Sequence, residues 1–314
     1  MYAEKIILVT FFSLTCLQAS ELSADPILPS TLEEISRSER KVIACFGGSV
    51  TEQAHGNGYV GALAELMPEY EIRGFGYAGR SLFPAGLNHI DEVLECRPSL
   101  ILMAWSLLET DEPHSDAIIK VLLKKAQNSG ANVVFMHTPR RDGLDTPTEH
   151  CIDRFADELN YSVLDLRSRF SEAELAEGIG DAYHTNPIGA KMYARAIKEF
   201  LCSTLSTPLK IPHRIIDFSH YECVKKLTYA ATIKKISFSF NGSYLSLDYT
   251  VGPYSNFIEL SHNEESLGKI QTWDKWCHYE RNTETVLLDQ IDFTGGKITI
   301  NTLNNAVCGF YEGY

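Results

Sequence analysis

The chain has 314 residues, 28 Lys+Arg against 41 Asp+Glu, a formal charge of −13 and 44% hydrophobic residues. That much apolar material in so long a chain builds one large core or two smaller ones, which excludes disorder and the collagen-like and disulfide-stapled miniprotein classes. The acidic balance, with no clustered block of Lys and Arg, argues against a nucleic-acid partner, because phosphate contacts need such clusters.

The first element reads as a cleaved signal peptide over residues 1–20. Lys5 supplies a weak positive start, Ile6 to Leu17 is uncharged and mostly apolar, and Gln18-Ala19-Ser20 offers small residues for cleavage. As a helix this stretch reaches only about 18 Å, short of the roughly 30 Å hydrocarbon core of a bilayer. A retained anchor is the bland alternative. Anchoring as a lipoprotein through Cys16 is a minor one, because Thr15 before it is bulky for such a site. No later segment has the length and apolarity of a membrane span, so the expectation is a secreted or periplasmic protein with no span after signal removal. Of the 8 cysteines, loss of Cys16 leaves an odd number, without CxxC or Cys/His metal spacing. Cys45 lies in an apolar run and reads as a buried thiol. Cys223, Cys277 and Cys308 have the makings of one disulfide in an oxidising compartment, with the pair left open.

After a lead-in over residues 21–40, short apolar runs alternate with helical patterns. Lys41–Phe46, Tyr70–Phe75, Ser99–Trp105, Asn132–His137 and Tyr161–Leu166 read as strands. Tyr59–Leu66, Ala85–Glu95, His114–Ser129, Glu149–Asn160 and Pro187–Leu201 read as helices. Uninterrupted apolar strands alternating with helices predict a five-stranded parallel sheet covered on both faces, a three-layer α/β/α domain over residues 41–204. Pro208 and Pro212 mark a linker at 205–213. Residues 214–314 then show β-type alternation in Lys235–Phe240, Ser243–Tyr249, Asn256–Ser261, Thr285–Leu288 and Lys297–Thr302. Asn241-Gly242 predicts a hairpin between the first two, Gly295-Gly296 a turn, and the whole a small all-β, sandwich-like accessory domain.

The chemistry concentrates at two places. Phe46-Gly47-Gly48-Ser49-Val50-Thr51 follows the first strand and precedes a helix, so Ser49 stands at the carboxyl end of a parallel strand, where open α/β sheets put their ligand crevice. The glycines allow a tight turn and close backbone approach, and no GxxxxGK[ST] phosphate loop is present. Downstream, Asp181-Ala182-Tyr183-His184 precedes Asn186-Pro187, which reads as a helix start with Pro in the first turn. A carboxylate three residues before a histidine orients the imidazole, and the imidazole takes the proton of a serine hydroxyl.

With these two segments the chain resembles the SGNH hydrolase superfamily, the GDSL-type esterases and acyl-hydrolases. Phe46 to Thr51 is similar to the family's first block, with Gly48 where many members carry Asp. Asp181, His184, Asn186 and Gly189 match its last block. Gly76-Tyr77-Ala78-Gly79-Arg80-Ser81 resembles its second block, where a glycine amide is an oxyanion donor, and Gly79 is the best match. The resemblance covers residues 41 to 203 and implies a flavodoxin-like fold and a catalytic set of Ser49, Asp181 and His184. It further implies an oxyanion hole from the amides of Ser49 and Gly79, and no metal or organic cofactor. One block departs from the pattern. After the third strand the family usually has Gly-x-Asn-Asp, whose Asn donates to the oxyanion, whereas this chain has Trp105-Ser106-Leu107-Leu108-Glu109. Ser106, Thr110 or a side chain from a neighbouring loop is the candidate replacement.

Arg80, Glu109, His137 and Arg140 are candidate substrate-binding residues, with Arg141 beside the last. His55 is a weaker candidate base than His184. Trp273, Trp276 and Tyr279 form an aromatic cluster suited either to sugar stacking or to a β-domain core. Asn160-Tyr161-Ser162 and Asn241-Gly242-Ser243 fit glycosylation sequons. The expected function is an exported serine esterase of O-acyl, including O-acetyl, groups on a small ester or a carbohydrate. Two alternatives stand beside it: an O-acyltransferase with a sugar acceptor, and a non-catalytic carbohydrate-binding protein that keeps the fold.

Overall fold

The computed structural model describes residues 6–14, 41–53, 56, 58–107, 112–203, 221–230, 235–240, 244–251, 255–271, 281–289 and 296–307. The chain divides into two compact units, Ala19–Phe218 and a β-rich unit made of Met1–Gln18 with Ser219–Tyr314. Strand β1 (Ile6–Leu14) belongs to the second.

In the first unit the chain runs β2 (Val42–Gly47), α1 (Ser49–Glu52), α2 (Tyr59–Leu66), β3 (Glu71–Gly76), α3 (Leu87–Glu95) and β4 (Leu100–Ala104). It continues through α4 (Glu112–Ser129), β5 (Asn132–His137), α5 (Pro147–Leu159), β6 (Ser162–Asp165), α6 (Glu172–Gly178) and α7 (Pro187–Ser203). The five strands are parallel in the order β3-β2-β4-β5-β6. This is the flavodoxin-like order, whose reversal of direction between β2 and β4 opens a crevice at the carboxyl ends of those two strands. The central strands β2, β4 and β5 are buried almost throughout, while the edge strand β3 is largely accessible. A strand covered on both faces reads as a continuous apolar run, which is why the central strands stand out in the sequence.

The core on one face of the sheet joins Ile43, Cys45, Leu102, Val134 and Leu164 to Tyr59 and Leu63 of α2 and to Tyr193 and Ile197 of α7. Two polar groups are enclosed there. The Tyr59 hydroxyl and Thr51 Oγ1 share a hydrogen bond of 3.1 Å, and burial pushes the Tyr59 phenol well up. Burial likewise pushes the Cys45 thiol up to about 12, against the smaller opposing pull of a hydrogen bond to Tyr59. Cys45 is thus the buried thiol expected from its surroundings.

The β-rich unit holds two four-stranded antiparallel sheets among the described residues. Its further strands are β7 (Tyr221–Ala230), β8 (Lys235–Phe240), β9 (Tyr244–Val251), β10 (Ser255–His262), β11 (Glu265–Gln271), β12 (Arg281–Asp289) and β13 (Gly296–Val307). One sheet has the order β12-β9-β1-β7 and the other β11-β10-β13-β8. Asn263 and Glu264 turn β10 into β11 with φ of 48° and 74°, the paired left-handed conformation of a two-residue hairpin loop. Asn263 also ties that turn to β13: its amide donates to the Lys297 carbonyl and its Oδ1 accepts from the Lys297 amide, both at 2.8 Å.

Several expectations change here. The strands flanking Asn241-Gly242 do not form a hairpin: β8 pairs with β13, whereas β9 pairs with β1 and β12. An Asn-Gly step favours reversal of the chain, but it does not choose the partner strand. β8 instead lies in register with β13, Ile236 opposite Ile300 and Phe238 opposite Ile298. Gly296, expected in a turn, opens β13. Apart from these changes, Ile6–Leu14, the apolar stretch of the expected export signal, forms the strand β1 between β9 and β7. Its Ile, Val, Thr and Phe side chains suit a pleated strand as well as an apolar helix. The linker at 205–213, Cys16, Cys277, Cys308, Trp273, Trp276, Tyr279 and Asn241 lie outside the described residues.

Candidate active site

Strand β2 delivers Ser49 to the crevice through two glycines. Gly47 lies against β4 so closely that a Cβ there would collide with the Ala104 carbonyl and the Thr51 hydroxyl. Gly48 precedes α1 in an extended conformation, and its carbonyl accepts the amides of Thr51 at 3.0 Å and Glu52 at 3.2 Å. Ser49 is then the first helical residue, so its amide has no acceptor within the helix.

The second block is clamped against this turn. The Tyr77 amide donates to the Gly47 carbonyl at 3.0 Å, and the Ala78 amide donates to the Glu52 carboxylate. A Cβ on Gly76 would strike the Glu52 backbone, which explains the glycine at the end of β3. Gly79 has φ of +70°, and the Arg80 amide returns to the Tyr77 carbonyl at 3.4 Å. Positive φ at this third position is the geometry of a type II turn, which favours glycine.

The loop before α7 brings the base. Asp181 Oδ1 accepts the amides of Tyr183 and His184, each at 2.8 Å, and Oδ2 lies 2.8 Å from His184 Nδ1. Burial alone would raise the Asp181 carboxyl. The two amides and the His184 imidazole outweigh it and hold the group down at about 2. An ionised carboxylate only accepts, so Nδ1 carries the proton and Nε2 presents its lone pair. That lone pair faces Ser49 Oγ at 2.8 Å. Asn186 caps α7 through Oδ1, accepting from Ile188 at 2.9 Å and Gly189 at 3.1 Å, so the expected helix start is where the sequence placed it.

One connection has no local mark in the sequence. The Gln53 side chain, just past α1, donates to the Thr185 carbonyl at 2.9 Å, and its Oε1 accepts the Thr185 amide at 3.2 Å and hydroxyl at 2.8 Å. Three bonds therefore fasten the residue after His184 to the helix that begins with Ser49. A glutamine and a threonine 132 positions apart carry no local signal of this.

Ser49 opens into a pocket lined by Arg80, Ala104, Trp105, Leu107 and Tyr183, with Gly48 and Val50 at the turn. Of the expected substrate-binding residues, Arg80 lines it directly. Arg140 stands behind the wall, its guanidinium 5.3 Å from the Tyr183 ring centre and donating to the Leu107 carbonyl at 3.3 Å and to Asp142. His137 lies elsewhere: only 1% exposed, it is 2.8 Å from Asp153 and 3.9 Å from Glu149 on α5, so it braces that helix against β5 instead of reaching the crevice. Ser106 does not replace the missing Asn either, because it is fully buried and its Oγ accepts the Thr138 amide at 3.2 Å. Arg141 is exposed, with its amide on the Ala182 carbonyl. His55, Glu109 and Thr110 lie outside the described residues, and among the described residues no cluster of metal-ligating side chains occurs.

No family model matches the chain, and no curated protein matches it. Solved structures do. A two-domain esterase (CEX) active on acetylated mannans is 13% identical with a TM-score of 0.59, over 87% of this chain and 89% of the other. The same kind of protein co-crystallised with mannopentaose gives 13% identity and a TM-score of 0.60, over 87% and 88%. An acetyl-xylooligosaccharide esterase from Geobacillus is 17% identical with a TM-score of 0.43, over 51% of this chain and 94% of the other. The first two likenesses show the fold, an α/β unit accompanied by a β-rich unit.

Proposed function

We propose that the chain is a serine esterase of the SGNH type, hydrolysing O-acyl esters, acetyl among them, on a carbohydrate. The observation that carries the reading is the line Ser49 Oγ to His184 Nε2 to Asp181, with both contacts at 2.8 Å. Ser49 Oγ attacks the ester carbonyl while its proton passes to His184 Nε2 and the carbonyl electron pair moves onto oxygen. The amides of Ser49 and Gly79 hold that oxyanion. Its collapse expels the alcohol, which takes the proton from His184. Water, deprotonated by the same nitrogen, then releases the acid from the acyl-enzyme. None of these steps calls on a metal or an organic cofactor.

The choice of a carbohydrate ester is supported by the fold shared with an esterase active on acetylated mannans, and it agrees with the export reading of residues 1–20. Among the described residues no helix is long and apolar enough to cross a membrane. In an exported form cleaved after Ser20, β1 leaves with the signal. N-terminal sequencing of the mature protein tests this directly.

The test of the chemistry is release of product from 4-nitrophenyl acetate and of acetate from acetylated oligosaccharides by the wild type and Ser49→Ala. The variant is expected to lose at least about three orders of magnitude in kcat. Full activity in folded Ser49→Ala would sink the mechanism, and a strong preference for the aryl ester would sink the carbohydrate assignment.

A further inference from the structure

The pocket at Ser49 has one charged residue among its described lining, Arg80, set among the apolar surfaces of Val50, Ala104, Trp105 and Leu107. Arg80 is only 8% exposed, and a guanidinium so enclosed is costly unless it is held and given work for its charge. What holds it can be read from the geometry. Arg80 Nη1 lies 2.8 Å from His89 Nε2, and the guanidinium carbon lies 5.7 Å from the centre of the Tyr77 ring. Guanidinium has donors only, so Nε2 accepts and His89 is neutral, with its proton on Nδ1. That nitrogen lies 3.4 Å from Glu92 Oε2 without hydrogen-bonding it, and the same oxygen accepts the Tyr77 hydroxyl at 2.9 Å. The Tyr77 ring stacks on His89 at 3.9 Å. His89 and Tyr77 thus flank one cation at the pocket wall, His89 by a hydrogen bond and Tyr77 by its ring face.

Arg80 follows Gly79, the proposed amide donor, and its carbonyl lies close to where a side chain on Gly48 would begin. Leu107, which has no hydrogen-bond donor in its side chain, lines the same pocket. We infer that Arg80 stabilises the oxyanion, as a catalytic residue of the proposed esterase reaction, and that His89 is the positioning residue that aims it. The inference rests on the esterase reading. A charge that acts on the oxyanion is felt in the transition state and not in substrate binding, so its signature is a fall in kcat with KM unchanged.

The experiment is steady-state kinetics on the neutral ester 4-nitrophenyl acetate with wild type, Ser49→Ala, Arg80→Ala, Arg80→Lys, His89→Phe and His89→Gln, each checked for folding by circular dichroism. Arg80→Ala is expected to lose about 100-fold in kcat with KM within about threefold. His89→Phe should lose about tenfold, and His89→Gln should recover it, because the amide oxygen accepts from the guanidinium. Arg80→Lys, which keeps the charge but not the fork, should fall between wild type and Arg80→Ala. Wild type labelled at Ser49 with a fluorophosphonate supplies an arm independent of the variants' folding: the phosphoryl oxygen should lie within hydrogen-bond distance of Arg80. An unchanged kcat in Arg80→Ala, or a labelled enzyme whose phosphoryl oxygen meets only backbone amides, overturns the role of Arg80 while leaving the esterase reading intact. So does a loss confined to KM for esters that carry a carboxylate, which would make Arg80 a substrate anchor. Failure of the wild type both to turn over esters and to take the label overturns both.

Discussion

The two units are held together over different chain distances. In the α/β unit the sheet grows by adding the next strand beside the last, with a single reversal of direction at β2, and each crossover carries its own helix. In the β-rich unit, the β10–β11 hairpin apart, many partners are remote: Ile236 of β8 is paired in register with Ile300 of β13, and Ile6 of β1 with Ala230 of β7. Local periodicity is enough to assemble the first kind of sheet. The second is decided by which apolar faces meet late in folding, where the cost of closing long loops must be met first. The candidate chemistry follows the same division, since Ser49, Arg80, Asp181 and His184 all lie in the unit built from sequential neighbours.

That division can be tested from either side. The largest effect is expected from Asp181→Asn, which keeps the shape of the side chain but removes the charge that holds the proton on His184 Nδ1. A fall in kcat of roughly 10²- to 10⁴-fold is expected, with the thermal midpoint little changed. The folded carboxyl, at about 2, lies below the ordinary value. Its ionic contribution is therefore complete above about pH 4, the ordinary aspartate range, and is lost only as the pH falls through the folded value. Any loss of wild-type rate between pH 7 and 5 belongs to another group, and a pH–rate profile of the two proteins checks this.

Next comes Ile300→Ala in the β-rich unit. The side chain is fully buried, and its truncation should cost about 2–5 kcal/mol of that unit's stability, read by denaturant titration. At temperatures where the variant stays folded, kcat should match the wild type. A parallel fall in kcat would break the assignment of the chemistry to one unit.

The smallest effect is expected from Gln53→Ala. Loss of the three bonds to Thr185 loosens the tie between nucleophile and base, lowering kcat by about tenfold with KM nearly constant. Gln53→Glu, which keeps the acceptor for the Thr185 amide and hydroxyl, should regain part of it. Equal losses in the two variants would assign the tether to the Thr185 carbonyl contact alone.

How much was legible in advance follows the same line. Asn132–His137 and Tyr59–Leu66 occur with the boundaries expected, because an apolar run or an amphipathic stripe is a local signal. Ser49, Asp181 and His184 stand out as candidates in the sequence because each lies beside glycines, an Asn-Pro cap or a strand end with its own sequence mark. The short helices α1 and α6 were not foreseen, since four and seven residues carry too little periodicity to register. His137 misled because the end of a parallel strand is where a functional histidine is looked for, and nothing in the sequence announces that Asp153 and Glu149 will meet it. The support of Arg80 by His89 was hidden in the same way, since nine positions along the chain suggest neither a helical nor a strand neighbour.

The loop that carries Asp181 and His184 is already closed by its own backbone. The Gly180 amide donates to the His184 carbonyl at 2.8 Å, the Asn186 amide donates to the Gly178 carbonyl at 2.9 Å, and Ile179 bridges to Thr185. Ordering a loose segment of this kind would draw about 1–2 kcal/mol per residue from whatever bound beside it. Here that cost is met during folding, so an arriving ligand keeps its interaction energy for itself. Calorimetry of an inert substrate analogue should then show a heat-capacity change set by the surface covered in the pocket, without the larger change that accompanies coupled folding.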